Sequence, residues 1–318
     1  MKGLTDVAGI AVGHASDFEA LTGCTAILCA GGAVGGVDVR GSATGTQELD
    51  LLSPGHLTER VHAVVLAGGS AFGLEAAAGV RRFLERKGVG FKTPHGVIPL
   101  VPCAILYDLG IGRPDVRPTR AMGEAAAAAA SSGAVPEGAV GAGTGATLGK
   151  LFGRGRAMKG GIGTCTVTLA NGAQVSALVA LNAVGDVRDP ATGRLIAGAR
   201  KARDSMELID SELQMKHGAR GGFEPSNTTL AVVATDAALN KVQANKLAQL
   251  AQLGLARTIY PVHTMSDGDI VFALSIGRNS ASIDALGVAA AEAVAQAVLR
   301  AARLSPALGG VPGLAGAR

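Results

Sequence analysis

The stretch GTCTVTLANGAQVSALVALNAV, residues 163–184, limits the possible architecture more than any other. Two runs of alternating β-branched and small residues flank Asn171-Gly172. That dipeptide supplies the positive φ angles of a type I′ turn, so a β-hairpin with a two-residue loop is predicted here. A hairpin demands antiparallel pairing, which argues against a purely parallel, doubly wound sheet. The rest of the chain nevertheless mixes strands with helices. HAVVLAGG (62–69) reads as a strand, and AFGLEAAAGVRRFLERKG (71–88) as a helix closed by Gly88. TTLAVVATD (228–236) reads as a buried strand, with Thr235 or Asp236 capping a helix through AALNKVQANKLAQLAQLG (237–254). SDGDIVFALSIG (266–277) is a tight acidic turn into another strand, and an Ala-rich helix is expected over 283–303. Elements intermixed in this way favour a layered α/β fold with helices covering sheet faces. No repeat or linker divides the chain, and 318 residues suffice for one compact domain with a sizeable core. The most polar long segment, residues 199–227, reads as an exposed helix followed by a loop.

Composition narrows the function classes. Apolar residues are 48% of the chain and charged residues 17%, which excludes a disordered or tail-dominated protein. With no Trp, two Tyr and seven Phe, there is no stacking platform for single-stranded nucleic acid. A net charge of +4 is spread without a basic stripe, so no nucleic-acid partner is expected. The nearest basic run, KLFGRGRAMKGG (150–161), reads as a solvated loop. No continuous apolar run reaches the length of a membrane span, and the N-terminus lacks a signal-peptide core. No membrane partner and a cytoplasmic location are therefore expected. Cys24, Cys29, Cys103 and Cys165 show no metal-type spacing and read as reduced, buried thiols.

Several motifs fail on inspection. GAVGAGTGATLGK (138–150) has Thr144 where a P-loop needs its first Gly, and Leu151 where it needs a hydroxyl. No strong strand precedes it, so it also lacks the frame of a dinucleotide site. A Gly-rich loop that turns backbone N–H groups toward a site remains open. AGGSAFG (67–73) has Ser-x-x-Gly spacing rather than that of a nucleophile elbow, and Ser70 reads as a helix cap. No histidine pair has zinc spacing, and only His263 lies near other candidates.

What remains is EPSN–TTLAVV together with TMSDGD (264–269). A Thr hydroxyl is a poor nucleophile unless a base takes its proton, and the α-amine of an N-terminal Thr can be that base. That amine has an ordinary pKa of about 7.7–8.0. An internal Thr reaches the same state by attacking the carbonyl before it, followed by an N→O acyl shift and hydrolysis. Asp267 and Asp269 bracket Gly268, so their carboxylates project to one face, where they would orient the hydroxyl and the ammonium. On residues alone, Thr228 as an ordinary strand residue and SDGD as an ordinary turn stay open.

The sequence resembles the self-cleaving N-terminal-nucleophile peptidases: L-aminopeptidase/D-esterases, β-peptidyl aminopeptidases and nylon-oligomer endo-hydrolases. The likeness runs through LTDVAGIAVGHASD (4–17), VRGSATGTQELDLL (39–52), VLAGGSAFGLEAA (65–77), GAGTGATLGK (141–150), MKGGIGT (158–164), NAVGDV (182–187) and NTTLAVVATDA (227–237). It implies a four-layer α/β/β/α sandwich with mixed sheets and cleavage between Asn227 and Thr228, giving subunits 1–227 and 228–318. The resemblance makes Thr228 the nucleophile, with Asp267 and Asp269 from DGD. It makes Lys150 the active-site lysine, with Lys159 nearby in a second family-like motif. It also makes Asn182 an oxyanion donor and Tyr107 a residue lining the site. Aminopeptidase members are expected to carry a Ser nucleophile and Ser-x-Glu, so Thr228 with DGD is most similar to the nylon-oligomer branch. The activity implied is amide hydrolysis of short peptides or ω-amino-acid oligomers through an acyl-enzyme, without metal or organic cofactor, in a homo-oligomer such as a tetramer of processed units. The alternative is an ornithine-acetyltransferase-like acyl transfer from an N-acyl amino acid.

Overall fold

A computed structural model describes residues 2–219 and 227–316. Its main sheet has nine strands: β1 (Ala11–Asp17), β2 (Thr22–Val39), β3 (Thr46–Gln47), β4 (Arg60–Ala67), β5 (Cys103–Ile105), β6 (Ile162–Thr168), β7 (Gln174–Asn182), β8 (Thr228–Ala237) and β9 (Ile270–Asn279). The helices are α1 (Glu75–Arg86), α2 (Arg120–Ala128), α3 (Ser211–Lys216), α4 (Lys241–Ala256) and α5 (Ile283–Arg303). Hydrogen bonding runs β6-β7-β8-β9-β2-β4-β5-β3, with β1 also on β2. The β8–β9 and β4–β5 pairs are parallel and the others antiparallel.

β2 explains how nine strands become two layers. Its first half pairs with β1 and β4; the register with β4 then shifts between Leu28 and Ala33, and beyond that break β2 pairs with β9. One long strand thus serves both sheets. Side-chain alternation gives three apolar cores. Leu230, Val232, Ile270, Phe272, Leu178 and Ala180 face Ile27, Val64 and Leu66 between the sheets. The alternate residues Ala231, Val233, Val271 and Val179 pack under α4 and α5. Ala26, Ala63 and Val65 pack under α1 and α2. Three cores require four layers, and the expected α/β/β/α sandwich is what the chain forms.

Small residues set the closeness of the outer layers. α5 is Ala-rich, and its backbone approaches β6 so nearly that a Cβ at Gly163 would lie 2.1 Å from the Ala297 carbonyl oxygen. By length and composition α5 could cross a membrane, but most of it is buried inside the protein. All four cysteines are free and buried, as read.

Local chemistry differs from expectation at four places. The hairpin forms, but only Gly172 has positive φ, its N–H donates to Leu169 O, and Leu169 N–H donates to Ala173 O. This is a three-residue loop closed by a left-handed glycine rather than a type I′ turn, because Ala173 pairs with Leu169 and not with Ala170, so the pairing ends one residue earlier on the first strand. α4 is capped by Asn240, in a reciprocal box with Gln243; Thr235 and Asp236 stay in β8, which pairs with β7 as far as Thr235 and with β9 as far as Ala237. Ser70 is the first residue of a 3₁₀ turn whose N-cap is Gly69, so its hydroxyl is not a cap. α1 ends as read: Gly88 is left-handed, with its N–H on Glu85 O and Val89 N–H on Leu84 O. Finally, residues 150–161 are no simple solvated loop, since Lys150, Met158 and Lys159 are buried. In the polar segment before Thr228, α3 supplies a helix as expected, and the loop expected after it falls in part on residues 220–226, which lie outside the described residues.

Candidate active site

The site grows from the N-terminal end of β8. Pairing of β7 with β8 sets Asn182 directly across from Thr228. Cross-strand partners project to the same face, so the Asn182 amide and the Thr228 hydroxyl share one side of the sheet. On the other flank β9 runs parallel to β8, and the pairing extends past the strand ends as a bridge between Asn227 and Asp267. NTT and DGD therefore lie side by side, although 39 residues separate Thr228 from Asp267. Asn227, Thr228, Asn182, Lys150, Asp267 and Asp269 are all buried.

The peptide before the nucleophile is engaged from two directions. The Thr228 hydroxyl donates to the Asn227 carbonyl oxygen at 2.5 Å, and the Gly268 N–H donates to the same oxygen at 2.9 Å. That carbonyl is polarised by the second donor and lies within reach of the first, which is what attack by Oγ1 requires. Gly268 is glycine for a steric reason: a Cβ there would lie 2.7 Å from both Thr228 Oγ1 and the Ala43 carbonyl.

The sequence reading expected both aspartates to orient the Thr228 hydroxyl, but that hydroxyl is on the Asn227 carbonyl and neither carboxylate bonds it; Asp269 holds the backbone beside it, and Asp267 holds its own turn. Asp269 Oδ1 accepts from Thr229 N at 2.7 Å, and its Oδ2 accepts from His263 N at 3.1 Å and pairs with His263 Nδ1 at 2.9 Å. His263 is left-handed at φ 55, a conformation that brings both donors onto one oxygen. Asp267 Oδ2 accepts from Thr264 N at 2.9 Å and Thr264 Oγ1 at 2.7 Å. Burial, then the charge of Asp269 beside it, pushes the Asp267 carboxyl up to about 6.

Lys150 is placed at the site and Lys159 behind it. Lys150 Nζ donates to the backbone O and to Oδ1 of Asn182, each at 2.9 Å. The Gly-rich loop contributes Thr147 N–H, also to Asn182 Oδ1, at 3.0 Å. Asn182 Nδ2 donates to Tyr107 O at 3.2 Å, so Tyr107 meets Asn182 through its carbonyl, while its ring lies 5.7 Å from the Arg154 guanidinium. Lys159 Nζ instead donates to Thr144 O at 2.8 Å and Ala146 O at 2.7 Å. Burial pulls its ammonium down to about 7, against the raising effect of Asp108.

A pH prediction follows for Lys159. Its folded pKa lies below its unfolded value, so between pH 7 and 10.5 the unfolded chain binds the extra proton and stability rises with pH. In Lys159→Met this contribution is absent. The wild-type melting temperature, measured relative to Lys159→Met, therefore rises from pH 7 to pH 9; a constant difference contradicts the burial effect.

Sequence reasoning had set His263 beside the other candidates and left open backbone N–H groups from the Gly-rich loop, of which Thr147 N–H is one; it missed Gly268 N–H and Thr264 as parts of the site. Of these two, Thr264 had a local signal: Thr-x-x-Asp is a spacing at which a hydroxyl and an N–H close on a carboxylate.

The model of peptidase family S58 matches residues 2–314. An uncharacterized aminopeptidase of Mycobacterium leprae is 40% identical over 98% of this chain and 93% of its own. A 6-aminohexanoate-oligomer endohydrolase of a Kocuria species is 33% identical over 94% of this chain and 85% of its own. Among solved structures, a Burkholderia beta-aminopeptidase aligns with TM-score 0.68 and 25% identity, covering 98% of this chain and 90% of that one. The L-aminopeptidase D-Ala-esterase/amidase of Ochrobactrum anthropi, described as a variant of the Ntn hydrolase fold, aligns with TM-score 0.73 and 21% identity over 98% and 88%, a likeness of fold.

Proposed function

The chain belongs to peptidase family S58 and is a hydrolase of peptide or amide bonds, and on that premise we propose that it matures itself into an N-terminal-threonine amidase. The observation that carries this reading is the Asn227 carbonyl held between the Thr228 hydroxyl and the Gly268 N–H. Thr228 Oγ1 attacks the carbonyl carbon of Asn227, and the C–N bond to Thr228 breaks as its nitrogen takes the proton. The resulting ester is hydrolysed by water to an Asn227 carboxylate and a free Thr228 amine and hydroxyl. The subunits are then 1–227 and 228–318.

In the mature enzyme that amine is the base. It takes the Oγ1 proton as the hydroxyl attacks a substrate amide, then returns it to the leaving amine. Asn182, across the sheet, stabilises the oxyanion. Lys150 and the two aspartates hold the surrounding geometry and charge, and Tyr107 lines the site. Water releases the acyl group. The substrates are short peptides or ω-amino-acid oligomers, in keeping with the names of the two relatives. The same reading includes a cytoplasmic homo-oligomer of processed units that needs no cofactor.

The test is partition of the acyl group. With p-nitroanilides of L-alanine, β-alanine and 6-aminohexanoate as probes, at least one releases p-nitroaniline and the free acid in equal amounts. Adding ornithine or hydroxylamine leaves the free acid as the main product at low acceptor concentration. Transfer to ornithine in preference to water would replace the hydrolase reading with the acyltransferase one.

A further inference from the structure

We propose that Lys159 is a positioning residue for this reaction, acting through the Ala146–Thr147 peptide on the side-chain amide of Asn182. Lys159 is among the largest fully buried side chains, 1% exposed. It lies on the short strand Met158–Lys159, which pairs with Thr147–Leu148. Its ammonium bridges the carbonyls of Thr144 and Ala146. The same peptide that offers Ala146 O to Lys159 offers its N–H, that of Thr147, to Asn182 Oδ1 at 3.0 Å. A donor on the carbonyl of an amide strengthens the N–H at its other end, and it fixes the plane in which that N–H points.

The surroundings leave this peptide little freedom. Gly160 N–H also donates to Ala146 O, and a Cβ on Gly160 would lie 1.9 Å from Leu181 O, one residue before Asn182. On the opposite side, Asn182 Nδ2 rests on Tyr107 O. The next residue, Asp108, is buried and held by Gly69 N at 2.6 Å and Thr22 Oγ1 at 2.8 Å. Gly145 packs on it: a Cβ there would lie 2.6 Å from Asp108 Cβ. Both ends of the Asn182 amide are thus seated on backbone that a buried charged or titratable residue fixes in turn. An apolar side chain of the same length would fill the volume of Lys159 but could not hold two carbonyls. A lysine buried at this depth, where desolvation is costly, fits a role beyond filling space.

The inference rests on the reading that Asn182 takes part in the chemistry, and a double-mutant cycle separates the two. Using whichever of the three p-nitroanilides is hydrolysed fastest, Lys159→Met in an otherwise wild-type enzyme lowers kcat by ~10–100-fold with little change in KM. In an Asn182→Ala background the same substitution lowers kcat by less than about twofold, because the group it acts on is gone. Equal factors in both backgrounds, or wild-type kcat in Lys159→Met, overturn the inference and leave the role of Asn182 standing. Wild-type kcat in Asn182→Ala removes both. Should Lys159→Met not fold, Lys159→Gln enters the same cycle. If neither folds while Asn182→Ala does, Lys159 belongs to the fold alone and the proposal fails.

Discussion

Thr228→Ala remains one uncut chain and hydrolyses the p-nitroanilide probes at least ~10³-fold more slowly than wild type, the scale on which loss of a nucleophile is felt. The substitution removes a hydroxyl and a methyl group from a buried position at the start of β8, so the fold should survive with a loss of about 1 kcal/mol. An unchanged circular-dichroism spectrum with a melting temperature only a few degrees lower keeps chemistry separate from unfolding. Thr228→Ser is the informative companion. It keeps the oxygen that lies 2.5 Å from the Asn227 carbonyl and loses only the methyl, so it should still cut itself and still hydrolyse the probes. A Thr228→Ala protein that hydrolyses them at the wild-type rate would move the nucleophile elsewhere.

The second large effect is expected at a residue with no side chain. In Gly268→Ala the new Cβ is built 2.7 Å from Thr228 Oγ1 and 2.7 Å from Ala43 O, closer than real Cβ contacts allow. One of the two must move, and the Gly268 N–H on the Asn227 carbonyl moves with the turn. Losing one donor to a developing oxyanion costs about 10²–10³ in rate, so self-cleavage should slow by roughly that factor. Gly55→Ala is the control, since a Cβ there meets nothing within 4 Å and its backbone is not left-handed. It should cut itself at the wild-type rate. If Gly268→Ala also cuts at the wild-type rate, the Gly268 N–H is not part of the processing machinery.

Much of this arrangement was legible in the sequence, and the limits have physical causes. Antiparallel pairing followed from Asn171-Gly172 because a turn dipeptide is local chemistry. The loop length did not follow, because it depends on where Leu169 and Ala173 stop pairing. The apolar run after Thr228 announced a strand buried on both faces, and the structure fills those faces with two different cores. The cap of α4 was misjudged because propensity favours a cap at Thr235 or Asp236, while pairing with β7 and β9 prolongs the strand through them.

At the site, the residue types came from the motif resemblance and their contacts came only from the fold. No spacing rule sets Asn182 opposite Thr228, 46 positions away, until β7 and β8 are in register. Lys150 and Lys159 look alike in a Gly-broken basic run. They part only when one reaches Asn182 and the other reaches the carbonyls of Thr144 and Ala146. The aspartates were read as partners of the nucleophile itself, yet each carboxylate is occupied by backbone and side-chain donors from 263–264, and Asp269 also by Thr229 N. A carboxylate buried beside so many local donors is spent on shaping the loop, which short sequence spacing alone does not reveal.

The most direct test of self-processing is the intact mass of the purified wild-type protein under denaturing conditions, with sequencing of any new N-terminus. Two species of about 22 and about 9 kDa, together making up the 31.5 kDa chain, with the smaller beginning at Thr228, are the predicted result. A single uncut chain after prolonged incubation, active on the amide probes, would contradict it, because Thr228 would then have no α-amine with which to work.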